Sequence, residues 1–101
     1  MIDRHLYTGL IRLHILHHAA EGPIFGQAMI DELARHGYRL SAGTVYPILH
    51  GLERQGYLRS RPVATGGRNR RVYRATSAGR KALVTARQRV QELFGEMFED
   101  D

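Results

Sequence analysis

The sequence predicts a fold that is mainly α with a small β-hairpin. Three observations carry this expectation. Apolar residues recur at helical spacing in four separate stretches. Two short β-prone runs flank a Gly-Gly turn signal. Gly, or Gly-Pro, stands where each of the first three helices would have to stop. The 101 residues suffice for one domain, or one domain plus an appendage. A chain of that length buries only about 60–65% of the surface its unfolded form exposes, enough for one small core. That excludes a multidomain enzyme and leaves little room for a deep substrate cavity. Apolar residues at 43% and charged residues at 25% are ordinary globular values and argue against wholesale disorder. The chain has no Cys, so disulfide scaffolds, thiolate zinc sites, iron–sulfur clusters and Cys nucleophiles are all removed.

Residues 5–20 read as the first helix. Leu6, Leu10, Leu13 and Leu16 form one apolar stripe, and Ile11 and Ile15 form a second about 100° away. A helix that is apolar on two sides is buried on two sides. One small domain covers one of them, so the other is expected to face a partner subunit. Gly22-Pro23 ends the segment. Residues 26–36 form a second helix with Met29, Ile30 and Leu33 inward and Asp31, Glu32 and Arg35 outward; Gly37 supplies its left-handed C-terminal residue. A third helix presents Val45, Ile48, Leu49 and Leu52 on one face, and Gly56 stops it. Pro47 is accommodated best if regular turns begin near Thr44, so an irregular or short 3₁₀ start is expected over 41–44. Residues 57–63 and 71–75 read as two strands joined through Thr65-Gly66-Gly67. Thr76 or Ser77 caps a last helix reaching about Phe98. Its seam of Leu83, Ala86, Val90, Leu93 and Met97 is heptad-like, with Phe94 and Phe98 beside it. At roughly 33 Å this helix outruns what the rest of the chain can cover, which predicts association between chains. Helix, helix, helix, hairpin and long helix make a winged helix-turn-helix plus a long C-terminal helix. Residues 1–76 form the first unit, with 5–20 also in the dimer interface. Residues 77–101 form the dimerisation helix with an acidic tail.

Charge points to the partner. Fifteen Lys and Arg against ten Asp and Glu give a net charge of +5, and fourteen of the fifteen bases are Arg. Between 54 and 91 there are eleven bases and no acid; between 92 and 101 there are five acids and no base. A uniformly basic stretch beside an acidic tail is the electrostatic footprint of a polyanion binder, here double-stranded DNA. The polar face of the third helix carries Gly43, Pro47, His50 and Arg54, flanked by Thr44 and Tyr46, with Ser41 at its start. In a major groove, Arg54 reaches a phosphate or guanine, and the hydroxyls suit phosphates or thymine. Arg68, Arg70 and Arg71 at the hairpin suit a minor groove or flanking phosphates. The base-reading inventory is thin, so shape and backbone contacts are expected to supply much of the affinity.

His14-x-x-His17-His18 places His14 and His18 one helical turn apart, as two metal ligands from one helix would be. A third ligand would come from elsewhere, from His5 or an acid of the tail. The plainer reading is a set of exposed or interface histidines. Ile15 stands where a metalloprotease helix needs Glu. No phosphate-binding loop or nucleophile elbow is present, and Asp31-Glu32 reads as a solvated pair on a polar helix face, so no enzyme activity and no cofactor are expected, a regulatory divalent metal apart. His5, Arg12, His14, His17 and His18 interrupt the apolar positions of the N-terminal segment, so no membrane partner and a cytoplasmic location are expected.

The sequence resembles the PadR family of bacterial transcriptional regulators. The resemblance lies in Leu40-Ser41-Ala42-Gly43-Thr44-Val45-Tyr46-Pro47-Ile48-Leu49 and Leu52-Glu53-Arg54-Gln55-Gly56-Tyr57-Leu58. It continues through Gly66-Gly67-Arg68-Asn69-Arg70-Arg71-Val72-Tyr73-Arg74-Ala75-Thr76 and Ala78-Gly79-Arg80-Lys81-Ala82-Leu83. It implies a homodimeric repressor on an inverted-repeat operator, of the short subfamily with one C-terminal helix. The first and last helices would form the dimer through Leu6, Tyr7, Leu10, Ile11, Leu83, Val90, Leu93, Phe94 and Met97. Small effectors, where such proteins sense them, would bind around that interface. Two alternatives are a metal-responsive regulator using the His14, His17 and His18 cluster, and a winged helix devoted to protein contacts.

Overall fold

The computed structural model describes residues 3–99. Helix α1 spans Arg4–Glu21, opened by the Asp3 carboxylate, which accepts from the amides of His5 (3.0 Å) and Leu6 (3.3 Å). Its Ile11, Ile15, Leu16 and Ala19 are buried in the core. The Leu stripe is split along its length: Leu16 is in the core, whereas Leu6 and Leu10 are left outside, with Leu6 71% exposed. Ile11, expected on the dimer surface, is 1% exposed and packs inside its own protomer. Both stripes are apolar, and the position of the other elements decides which residues of each are covered.

A short strand β1, Ile24–Phe25, follows and was not expected from the sequence. Two residues carry no readable alternation; they become a strand because another strand offers them a free edge. Helix α2 spans Gly26–Arg35, with Met29 and Leu33 buried, and Gly37 beyond it has φ +91°. Helix α3 spans Ala42–Arg54 and is α-helical from its first residue, and the 3₁₀ start expected over 41–44 survives only as one shared bond. The amides of Thr44 and Val45 both donate to the Ser41 carbonyl at 3.0 Å. Pro47 lies inside α3 and costs the hydrogen bond to the Gly43 carbonyl, at an exposed residue where water replaces it. Burial of Val45, Leu49 and Leu52 outweighs that loss.

Strands β2 (Leu58–Thr65) and β3 (Arg68–Ala75) form a hairpin longer than expected, paired from Leu58↔Ala75 out to Thr65↔Arg68. The outer residues lack an apolar face, so the sequence hid them; the backbone ladder carries them to the turn. Gly66 and Gly67 have φ +57° and +77°, as a two-residue hairpin turn requires. The sheet order is β1-β3-β2, all antiparallel. Pro62 is tolerated because β2 is an edge strand.

Helix α4 spans Ser77–Phe94 and runs on through one π-helical turn, Gly95–Glu99. Thr76 caps it, its hydroxyl accepting from the Gly79 amide at 3.0 Å. Arg80 ties it to α1 by donating to the Ala20 carbonyl at 3.0 Å. Gly79 is the only fully buried residue of α4; Ala82 and Leu83 still pack against the core, and the later turns are largely exposed, giving a molecule of 57 × 33 × 20 Å. Asp100 and Asp101, the last acids of the expected tail, lie outside the described residues.

Candidate functional site

α3 is held with its polar face outward. Ser41, Gly43, Pro47, His50 and Arg54 are exposed. Thr44 is half-buried, accepting from Arg4 Nη1 at 2.8 Å and lying 3.3 Å from Ser41 Oγ. Arg4, which sequence reading missed, is thereby brought from α1 to the start of α3; no local pattern links residues so distant in the chain. Tyr46 turns back into the protein. A Cβ on Gly26 would stand only 2.4 Å from its hydroxyl, so the ring fills the gap between α2 and α3 rather than projecting as a free contact.

The hairpin is fixed to α3 by a polar relay. The Ser60 hydroxyl donates to the Glu53 carboxylate (2.9 and 3.0 Å), its amide donates to the same group (3.1 Å), and Arg71 Nε donates to the Ser60 oxygen (3.1 Å). Arg71 is therefore committed to holding the wing against the end of α3. Tyr73 lies on the same sheet face, 1% exposed, with no hydrogen-bond partner for its hydroxyl among the described residues. Burial, and then the nearby Glu53 carboxylate, pushes its pKa above the ordinary phenol value. Tyr73→Phe is expected to leave stability unchanged or raise it by up to about 1 kcal/mol, measured by urea unfolding. A loss of that size instead would reveal a partner for the hydroxyl.

The opposite sheet face is the basic one. Strand alternation and register put Arg59, Arg61, Arg68, Arg70 and Arg74 together there, around Val72 and Phe25. The Arg70 guanidinium lies 4.2 Å over the Phe25 ring, while Arg68 stands free beside the turn. Sequence reading singled out Arg68, Arg70 and Arg71 by their closeness along the chain. The structure groups Arg68 and Arg70 with Arg59, Arg61 and Arg74 and sends Arg71 to the other side. The period of two was the signal for this, once the strands are extended to their true length.

A second surface lies where α1 meets α4. A groove of about 640 Å³ is lined by Leu10, Leu13, His14, Leu83, Val90 and Phe94 among others. Leu6, Leu10, Val90, Leu93, Phe94 and Met97 are exposed, while Tyr7 and Leu83 are half-buried against the core. A third cluster joins α1 to α2: His14, His18 and His36, with Glu32 beside them. Glu32, expected on an outward solvated face, is only 20% exposed and faces this cluster. The Arg35 guanidinium first, and His36 after it, hold its carboxyl below the usual range. Burial, followed by the neighbouring His36 and His18 rings, lowers the His14 pKa.

The sequence profile of the transcriptional regulator PadR-like family matches residues 15–85. The chain belongs to the PadR-like family of transcriptional regulators. It is similar to another transcriptional regulator, Rv3488 of Mycobacterium tuberculosis, at 51% identity over 94 residues, covering 93% of this chain and 88% of that one. Its structure is similar to a PadR-family regulator from Eggerthella lenta, with a TM-score of 0.76 at 33% identity, over 96% of this chain and 88% of the other. The PadR fold is shared with the Bacillus subtilis PadR solved in complex with operator DNA, with a TM-score of 0.68 at 19% identity, over 75% of this chain and 46% of that one. The winged helix-turn-helix expected from the sequence is the fold of these PadR proteins. Among the described residues, no helix is long and apolar enough to cross a membrane.

Proposed function

We propose that this PadR-like regulator is a homodimeric repressor acting on an inverted-repeat DNA operator in the cytoplasm. The observation that carries the reading is the set of arginines with no acid beside them. Among the described residues, Arg54 on α3 and Arg59, Arg61, Arg68, Arg70 and Arg74 on the wing form no ion pair. A protein that leaves so many guanidinium groups uncompensated on adjoining surfaces keeps them for phosphates. α3 would enter the major groove with Ser41, Thr44, His50 and Arg54 at the duplex, and Arg68 would lead the wing along the backbone or into the minor groove. The B. subtilis PadR structure, which holds operator DNA on the same fold, supports the duplex as ligand.

Two copies would join through α1 and α4, making 77–101 the dimerisation segment. Charge favours antiparallel packing of the two α4 helices. Arg80, Lys81, Arg87 and Arg89 occupy the first part of the helix, and Glu92, Glu96 and Glu99 the last part and its π turn. Antiparallel packing sets the acidic end of each helix on the basic part of the other, whereas parallel packing would stack like on like. A small apolar effector lodged in the α1–α4 groove would release the operator by respacing the two recognition helices.

Arg54→Ala combined with Arg68→Ala tests the interface. Both side chains are exposed and unpaired, whereas removing Arg70 would also uncover Phe25. The double variant is expected to bind every duplex more weakly and to flatten the log K against log salt slope by about 2, at 0.9 per lost phosphate contact. The duplex comes from selection out of a random pool, which also reports operator symmetry. An unchanged slope would remove these arginines from the interface.

A further inference from the structure

We infer that the junction of α1 and α2 is a divalent metal site in which His14, His18 and His36 are the ligands and Glu32 completes the shell. The ligand-capable ring nitrogens of the three histidines all lie within 4.8 Å of one another. A tetrahedral ion with bonds near 2.0–2.1 Å holds its nitrogens about 3.3 Å apart, so small side-chain rotations close the site. The rings face one another, with centroids 4.8 Å apart for His14–His36, 5.7 Å for His18–His36 and 6.3 Å for His14–His18.

His18 supplies the independent observation. Its Nε2 is buried with no hydrogen-bond partner among the described residues, and Glu32 Oε2, at 3.6 Å, is beyond hydrogen-bond reach. On the other side of the ring, Nδ1 faces Glu21 Oε1 at 3.4 Å. A carboxylate behind one ring nitrogen and an unused nitrogen turned inward is how proteins orient a metal-binding imidazole. Glu32 Oε2 lies 3.1 Å from His36 Nε2, close enough to enter the shell as an oxygen ligand.

The donor set selects the ion. Three imidazoles and one carboxylate, in a chain with no Cys, suit Zn²⁺ and its late first-row neighbours rather than Ca²⁺, Mg²⁺ or thiophilic ions. The sequence had offered His5 or a tail acid as third ligand. His5 lies nine residues before His14 on the same helix, roughly 13 Å along its axis, and cannot reach. His36 takes that place, carried in by the end of α2. The bound ion would clamp α1, which bears the exposed Leu6–Leu10 stripe, to α2 of the helix-turn-helix.

Calorimetric titration of Zn²⁺ into the full-length protein, without DNA, tests the site and stands apart from the operator reading. One ion per chain with micromolar or tighter affinity is expected. His14→Gln and His36→Gln should each weaken it at least about 10-fold, and His17→Gln should leave it unchanged. His36 is exposed, so its variant should fold, which the far-ultraviolet spectrum checks. Co²⁺ should give the visible absorption of a four-coordinate ion, absent in the His36 variant. Saturating Zn²⁺ should raise the melting midpoint of the wild type by roughly 5–10 °C. No binding by the wild type, equal binding by the His36 variant, or loss in His17→Gln with retention in His36→Gln would overturn the assignment. The last pattern would move the ion to His17, His18 and Glu21, the neighbouring group on α1.

Discussion

Replacing Leu93 and Phe94 together by Glu is expected to turn the protein into a monomer and to weaken operator binding at least about 100-fold. Leu93 and Phe94 are about half exposed, Phe98 is 69% exposed, and Leu6, Leu10 and Met97 extend the same apolar surface. An exposed patch of that kind on a small protein supports the proposed interface between copies. Each Leu or Phe fully removed from water contributes roughly 1.5–3 kcal/mol, and a two-fold axis counts every residue twice. Four carboxylates placed in the seam reverse that gain and repel one another. Separated protomers then bind half-sites singly and lose the effective concentration that linkage supplies. None of the altered side chains belongs to the buried core, so the helical spectrum and the fold should survive. Sedimentation equilibrium and a gel shift on the selected operator measure the two effects. A variant that still sediments as a dimer would place the interface elsewhere.

The second large effect is on stability. Gly79→Ala is expected to destabilise the protein by about 2–4 kcal/mol and to lower its melting midpoint by roughly 10–20 °C. Helix propensity alone would favour Ala by about 1 kcal/mol. Geometry reverses the sign. A Cβ on Gly79 would stand 2.2 Å from the Tyr57 carbonyl oxygen, 3.0 Å from its carbonyl carbon and 3.2 Å from Leu16 Cδ1. The Tyr57 carbonyl cannot retreat freely, because it accepts the Thr76 amide at 3.0 Å just before α4 begins. The methyl group would therefore pry α4 from the α3–β2 junction and from α1. Gly95→Ala is the control: it is helical, with φ −59° and nothing within 4 Å of the new carbon, and should be neutral or slightly stabilising. Thermal and urea unfolding of the two variants should separate by several kcal/mol; equal stabilities would mean the close approach at Gly79 does not exist.

Local patterns in the sequence were informative because helices and turns are short-range objects. The spacing of Val45, Leu49 and Leu52 reported the buried face of α3 directly. Gly37 and the Gly66-Gly67 pair marked positions where φ is positive. The PadR resemblance was readable for a related reason, since its motifs are contiguous segments around α3, the wing and the start of α4. Signals failed where the deciding contact lies far along the chain. β1 exists only because β3 presents it an edge. Arg4 meets Thr44 across forty residues, and His36 and Glu32 meet His14 and His18 only once α1 and α2 are packed.

The amino-acid sequence alone determined the four helices and the hairpin, their order, the wing turn and the arginine-rich, acid-free stretch, all consequences of backbone preference, residue period and charge within a few residues of one another. Tertiary structure decided which apolar residues of α1 are core, which arginines share a sheet face, that Tyr46 faces inward, and which histidines meet. These depend on how one element is placed against another. That placement follows from the joint burial of the whole core, to which a single helix or strand contributes only a part.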